Sequence, residues 1–293
     1  MTAKCEPIRE WRWRGMTDST LLAAEQKTSP LEAEESNSTF YWKKGYQQDP
    51  GSRKEQQDTI GLALGNYHEK PALLAVLADG MGGMKDGVEF SRIVADYHCE
   101  HFQEALNQVS TPPGVLLSLA LRANAEANKI YDEDDPGGTT LVSALFIGDV
   151  FYTLSIGDSR ITLFRKNSRL NQYVPLQINR EHVLGAALDE RAWMGYIPLE
   201  DAEENIYRHS LTSCLGPNKV KRVDLTDYPT RFIGGDQLLL MSDGIFKTVP
   251  EEELAIYLED SPETAADKIV EAVRNRRVKG QDNMSVIIVQ KAV

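Results

Sequence analysis

Six short apolar runs constrain this chain more than any other feature: 60–64, 72–78, 140–147, 150–156, 237–241 and 284–289. Each is about the length of one β-strand, too short for a helix of several turns, and most are bounded by Gly or Asp. None approaches the roughly 20 residues needed to cross a bilayer as a helix. Gly148 and Asp149 alone separate two of the runs, the spacing of a tight hairpin. Helical periodicity lies elsewhere. Residues 87–108 place Phe90, Val94, Tyr97 and Phe102 at near-helical intervals, and 113–131 are rich in Leu and Ala after a Pro pair. Residues 262–276 begin with Ser261 as N-cap and Pro262 in the first turn. Hairpins with helices inserted between them predict an α+β domain with antiparallel sheets rather than a βαβ series. One such domain is expected over 38–293.

Residues 1–37 read differently. They are polar, carry both charges and end in an acidic Ser/Asn-rich run, so a mobile N-terminal extension is expected. Trp11 and Trp13, set among Arg9, Arg12 and Arg14, are its apolar exception and suit docking on the domain or on a partner, with weak packing on the domain the plainer expectation.

Composition narrows the function. Of 293 residues, 41% are hydrophobic, enough for a sizeable core, and the net charge is −12. That charge repels a nucleic-acid backbone, so no nucleic-acid partner is expected. It would also repel phosphorylated substrates, unless bound cations reverse it locally. Cys5, Cys99 and Cys214 have neither zinc-finger nor redox spacing, and the N-terminus lacks an apolar leader. A cytoplasmic protein, monomeric and without membrane attachment, is the expectation.

Five acids mark the ends of the apolar runs. Asp58 and Asp282 precede runs, whereas Asp79, Asp158 and Asp243 follow them. Any one alone reads as a turn residue. Together at one sheet end they would repel one another, and a hard divalent cation is what compensates such a cluster. All-oxygen ligands favour Mg²⁺, Mn²⁺ or Ca²⁺ over Zn²⁺ or Cu²⁺, and no Asp-x-Asp-x-Asp-Gly loop is present.

Seven segments carry a resemblance: Arg53-Lys-Glu-Gln-Gln-Asp58, Ala78-Asp-Gly-Met-Gly-Gly83, Gly138-Thr-Thr-Leu141, Ile156-Gly-Asp-Ser-Arg160, Leu211-Thr-Ser-Cys-Leu-Gly216, Met241-Ser-Asp-Gly-Ile-Phe246 and Gln281-Asp-Asn-Met-Ser285. In this order they resemble the type 2C protein phosphatases, the metal-dependent PPM family, and the Met of Asp-Gly-Met-Gly-Gly resembles its bacterial members. The resemblance implies two antiparallel sheets packed as a sandwich and flanked by helices on both faces. It implies a protein serine/threonine phosphatase in which a water bridging two metals attacks phosphoserine or phosphothreonine. Mn²⁺ or Mg²⁺ would be the cofactor, as two or three ions. Asp79 would bridge two of them with help from the Gly80 carbonyl, Asp243 and Asp282 would complete the pair, and Asp58 would hold a water. Asp158 with Asp243 would bind a third ion, and Arg53 would take the phosphate. The catalytic set is thus Asp79, Asp243 and Asp282. A segment at 181–205 resembles the flap bordering the site. Substrates would be proteins phosphorylated by a Ser/Thr kinase.

The chain departs from the pattern at several positions. Gln57 stands where the family has a metal-binding Glu, leaving a weaker, uncharged ligand. Met84 replaces a frequent His, Glu181-His182-Val183 replaces Asp-His-Ser, and Ser213 replaces an Arg. Gln57 and Ser213 favour a second reading, a catalytically weak phosphoprotein-binding regulator. Retention of every core Asp argues against it. Other residues get structural roles: Arg160 as ion-pair partner of a site aspartate, His182 as a partly buried structural residue, Thr139 and Thr140 as strand residues, Cys214 as core. Gly82, Gly83 and Gly138 are expected to serve turns or close approaches.

Overall fold

Residues 72–78 are apolar without interruption because both of their faces are covered. Leu73, Ala75 and Leu77 point into one core, and Ala72, Leu74, Val76 and Ala78 point into another. This follows from the alternation of side chains along a strand.

The computed structural model describes residues 41–81, 86–132, 134, 137–216 and 219–292. The expectations for residues 1–37, with Trp11 and Trp13, and for Gly82, Gly83 and Met84 lie outside the described residues. The chain opens with β1 (Trp42–Asp49), β2 (Asp58–Tyr67) and β3 (Lys70–Met81). Helices α1 (Asp86–Glu100), α2 (Phe102–Gln108) and α3 (Pro112–Ala127) follow. The periodicity at 87–108 therefore covers two helices, with His101 at the break. Next come β4 (Gly138–Thr139), β5 (Leu141–Ile147), β6 (Val150–Ile156), β7 (Arg160–Asn167) and β8 (Gln172–Gln177). The flap segment holds α4 (Leu184–Trp193) and α5 (Leu199–Glu203). Short β9 (Asp224–Leu225) and β10 (Thr230–Arg231) precede β11 (Gln237–Met241), α6 (Asp243–Phe246) and α7 (Glu251–Leu254). The chain ends with α8 (Pro262–Asn275) and β12 (Met284–Lys291). Ser261 caps α8, accepting a hydrogen bond from the Thr264 amide.

All ladders are antiparallel. One sheet runs β1-β12-β11-β7-β8, the other β10-β6-β5-β3-β2, with β4 beside β3 and β9 beside β6. Gly148 and Asp149 join β5 to β6 as a two-residue hairpin, as their spacing predicts. Between the sheets lie Leu73, Leu77, Val142 and Phe146 from one and Ile161, Leu163, Leu238, Leu240, Ile287 and Val289 from the other. The second core is the outer face of the β3 sheet under α1, α2 and α3. The third, with Leu239, Met241, Val286 and Ile288, lies under α8. The order helix, sheet, sheet, helix is the predicted sandwich. Burying one Leu on such a face is worth about 2 kcal/mol, so each run is pinned in register.

One end of the inter-sheet core is aromatic. Phe146 lies 6.1 Å from Trp42, 6.0 Å from Phe151 and 5.2 Å from Phe232 between ring centres. These residues sit near the β5–β6 hairpin, at the end of the sandwich away from the aspartates.

Candidate active site

The topology delivers all five predicted aspartates to one end of the sandwich. Asp58 begins β2 and stands directly across the ladder from Asp79 near the end of β3. Asp158 lies in the turn where the chain leaves β6 in one sheet for β7 in the other. Arg160 at the start of β7 pairs with Met241 at the end of β11, so Asp158 and Asp243 meet at neighbouring strand ends. Asp282 precedes β12, whose start lies beside the end of β11.

Local hydrogen bonds fix these positions. The Asp79 amide donates to Thr140 Oγ1 at 3.1 Å, while the Thr140 amide and Thr139 Oγ1 donate to the Asp79 carbonyl at 2.8 and 3.0 Å. The two threonines are therefore the clamp on Asp79, more than strand filler. Ser285 Oγ donates to Asp58 Oδ2 at 2.7 Å, and the Ser285 amide donates to Ser242 Oγ at 2.9 Å. Close backbone approach explains the glycine after each of two aspartates. A Cβ on Gly80 would lie 2.1 Å from the Gly87 carbonyl oxygen, and one on Gly244 would lie 2.0 Å from that of Asn283.

The electrostatics are those of buried like charges. Burial pushes the Asp79 carboxyl well above the usual carboxylate range, and Asp58, Asp243, Asp158 and Asp282 push it further. Asp58 is raised to about 6, chiefly by burial, against hydrogen bonds from Ser285 and Ser242 that favour its charge. Asp158 is raised by burial and by Asp243, with Lys247 opposing. Asp58 Oδ1 is buried and has no hydrogen-bond partner among the described residues. An unpartnered buried carboxylate oxygen beside a second raised carboxyl is a donor set that suits a hard cation or the water around one.

The outer aspartates are already met by protein cations. Arg53 Nη2 pairs with Asp282 Oδ2 at 2.8 Å, with both side chains about half exposed. Lys247 Nζ pairs with Asp243 Oδ2 at 2.7 Å and approaches Asp158 Oδ2 at 3.4 Å. Among the described residues, no three Asp, Glu, His or Cys side chains are drawn together as a ready-made ligand shell.

Gln57 lies beside the cluster. Its carbonyl accepts from the Gly80 amide at 3.1 Å, and its side-chain amide packs against Gly87 at the start of α1. The sequence reading of Arg160 needs a correction. It pairs with Glu181 and, at 3.6 Å, with Glu251, rather than with a site aspartate. The Phe246 ring lies 3.9 Å beneath its guanidinium. The acid expected at the site had already been engaged by Lys247, which sequence reasoning missed. Its signal was the four-residue spacing from Asp243 in a helical turn. His182 is a structural residue, more fully buried than expected, and its Nδ1 accepts from the Gly157 amide at 3.1 Å. Burial lowers its pKa. Cys214 is half-buried rather than core. A cleft of about 530 Å³ under the flap, lined by Arg180, Glu181, Asp189 and Arg208 among others, contains none of the five aspartates.

Comparisons with known proteins converge. A family profile described as Protein phosphatase 2C matches residues 52–278. The serine/threonine phosphatase stp of Listeria monocytogenes serotype 4b (strain F2365) is 26% identical over 253 residues, covering 84% of this chain and 94% of the relative. The serine/threonine protein phosphatase PstP of Mycobacterium tuberculosis is 30% identical over 226 residues, covering 74% of this chain and 40% of the relative. Among solved structures, the S. agalactiae serine/threonine phosphatase superposes with a TM-score of 0.67 at 23% identity, over 85% of this chain and 99% of that one. The catalytic domain of PstP in complex with two manganese ions superposes with a TM-score of 0.66 at 25% identity, over 86% and 99%.

Proposed function

Because this chain belongs to the protein phosphatase 2C family, we propose that the acid-lined end of its sandwich is the catalytic centre of a metal-dependent protein serine/threonine phosphatase. The chain hydrolyses phosphoserine and phosphothreonine on proteins, a reading supported by its similarity to serine/threonine phosphatases. Our reading assigns the divalent ions, Mn²⁺ or Mg²⁺, to Asp79, the Gly80 carbonyl, Asp243 and Asp282. Asp58 and Gln57 stand beside them. The observation that carries this is the opposed pair Asp58, buried, and Asp79, half-buried, both raised, with one Asp58 carboxylate oxygen unpartnered among the described residues.

Bound there, the ions supply Lewis acidity that acidifies water and positive charge for the phosphoryl oxygens. The protein supplies position. Thr139 and Thr140 hold the Asp79 backbone, and Ser285 holds Asp58 Oδ2 so that Oδ1 is left to orient water. Among the described residues the Arg53 side chain is tethered to Asp282 alone, and it is exposed enough to turn its fork onto two phosphoryl oxygens. No Cys or Ser nucleophile is needed in this scheme. The net charge of −12 makes cations at this end a requirement for a phosphoprotein to approach.

We take the catalytic unit as 38–293, acting as a monomer in the cytoplasm against the products of a Ser/Thr kinase. Among the described residues, no helix is long and apolar enough to cross a membrane. The test is hydrolysis of p-nitrophenyl phosphate and of a phosphothreonine peptide. EDTA is expected to abolish both and Mn²⁺ to restore them. Undiminished turnover by the chelated protein would overturn the metal assignment. Tight Mn²⁺ binding without turnover would leave the regulator reading in its place.

A further inference from the structure

The family resemblance leads one to expect a divalent ion between Asp158 and Asp243, yet that position already holds charge. We propose that Lys247 is a built-in cation there: its ammonium occupies the Asp158–Asp243 position, so the chain takes two divalent ions and excludes a third. This rests on the phosphatase reading of the same site.

The geometry is specific. Lys247 follows Asp243 by four residues, and its amide donates to the Asp243 carbonyl at 3.0 Å, which closes the turn of α6 and puts both side chains on one face. Nζ then lies 2.7 Å from Asp243 Oδ2 and 3.4 Å from Asp158 Oδ2. Asp158 is buried to 9% exposure of its side chain, so its charge needs a partner close by. Mg²⁺ binds carboxylate oxygen at about 2.0–2.1 Å. Placed on these two oxygens, it would stand within contact distance of the ammonium, and like charges at that separation repel strongly. The turn that carries Lys247 is anchored next door. Phe246 lies under Arg160, and Arg160 is held by Glu181 and Glu251. Burial would lower the Lys247 pKa, but Asp243 and Asp158 more than reverse this and keep it charged.

The tethered ammonium differs from an ion in two ways. It carries one charge rather than two, and it is present at every metal concentration. Lys247 is thus a positioning residue for Asp243, holding one of its oxygens while the other is left for the assigned metal pair.

The test counts Mn²⁺ by calorimetric titration, checked by electron paramagnetic resonance of the free ion. The wild-type chain is expected to bind two ions and Lys247→Met three, the added one weakest. Lys247→Arg is expected to return to two, as is Lys247→Met combined with Asp158→Asn. Asp158→Asn alone, in a chain that keeps Lys247, is expected to bind two, a measurement that does not depend on any Lys247 variant folding. Equal stoichiometry for wild type and a folded Lys247→Met would overturn the proposal. So would the loss of one ion on Asp158→Asn alone. A wild-type chain that binds no Mn²⁺ would instead sink the metal reading beneath it.

Discussion

Replacing Asp58 with Asn should make the metal-free protein more stable, and only at pH values where Asp58 is otherwise charged. Its carboxyl titrates at about 6 in the folded chain against an ordinary 3.8. Between these values the folded protein keeps a proton that the unfolded chain has released. Stability therefore falls as pH rises through that window, and the full loss is present at pH 7. The difference is worth about 3 kcal/mol. Asn removes the ionisation while its amide can still meet Ser285, so about 3 kcal/mol is a ceiling on the gain. For a chain of this size that corresponds to roughly 6–12 °C in Tm. The assay is thermal unfolding of wild type and Asp58→Asn in EDTA at pH 4 and pH 8, followed by circular dichroism. The variant is expected to melt higher at pH 8 and to lose most of that advantage at pH 4. Saturating Mn²⁺ should shrink the gap, because the ion stabilises the wild-type cluster by about 2.7 kcal/mol at a hundredfold excess over Kd. An equal Tm difference at both pH values would refute the reasoning, since it would trace the effect to packing rather than charge.

Asp79→Asn and Asp243→Asn should each lower kcat for p-nitrophenyl phosphate by several orders of magnitude, with unchanged circular dichroism. Retention of about a tenth of wild-type activity by both would misplace the site. Gln57→Glu should tighten Mn²⁺ binding in calorimetry, because it adds a charge beside Gly80 where an amide now lies; identical affinities would remove residue 57 from the metal's surroundings. Arg53→Ala should reduce kcat/KM for a phosphothreonine peptide by roughly 10–100-fold, the worth of a charged hydrogen bond, and an unchanged value would assign phosphate binding elsewhere.

Much of this was legible in the sequence because the strands of the sandwich are covered on both faces. Strands β3, β5, β11 and β12 read as unbroken apolar runs for that reason. The acids at their ends were legible for a related cause: a strand that stops at a charged residue exposes that residue at the sheet's end. Strand β1 was not legible. Its sequence is mostly polar, and it is held by pairing with β12 and by the single buried ring of Trp42. Strands β7 and β8 were hidden too, the first by polar Thr162 and Arg165, the second by its largely exposed edge position. Lys247 escaped because its partner Asp158 is 89 residues away. Its spacing from Asp243 is that of an ordinary helical ion pair, and only the meeting of β7 with β11 reveals the second carboxylate. Arg160 was misassigned for the converse reason, since nothing local announces Glu251 as its neighbour.

The aromatic cluster among Trp42, Phe146, Phe151 and Phe232 has a mechanical consequence. It binds the two sheets at one end, while the aspartates repel one another at the opposite end. The sandwich is therefore a lever with its pivot at the rings and its widest travel at the acids. Relative sheet motion too small to disturb the pivot is magnified where Asp79 on one sheet faces Asp243 on the other. A cation seated between them would draw the sheets together at the acid end and leave the ring end as it is.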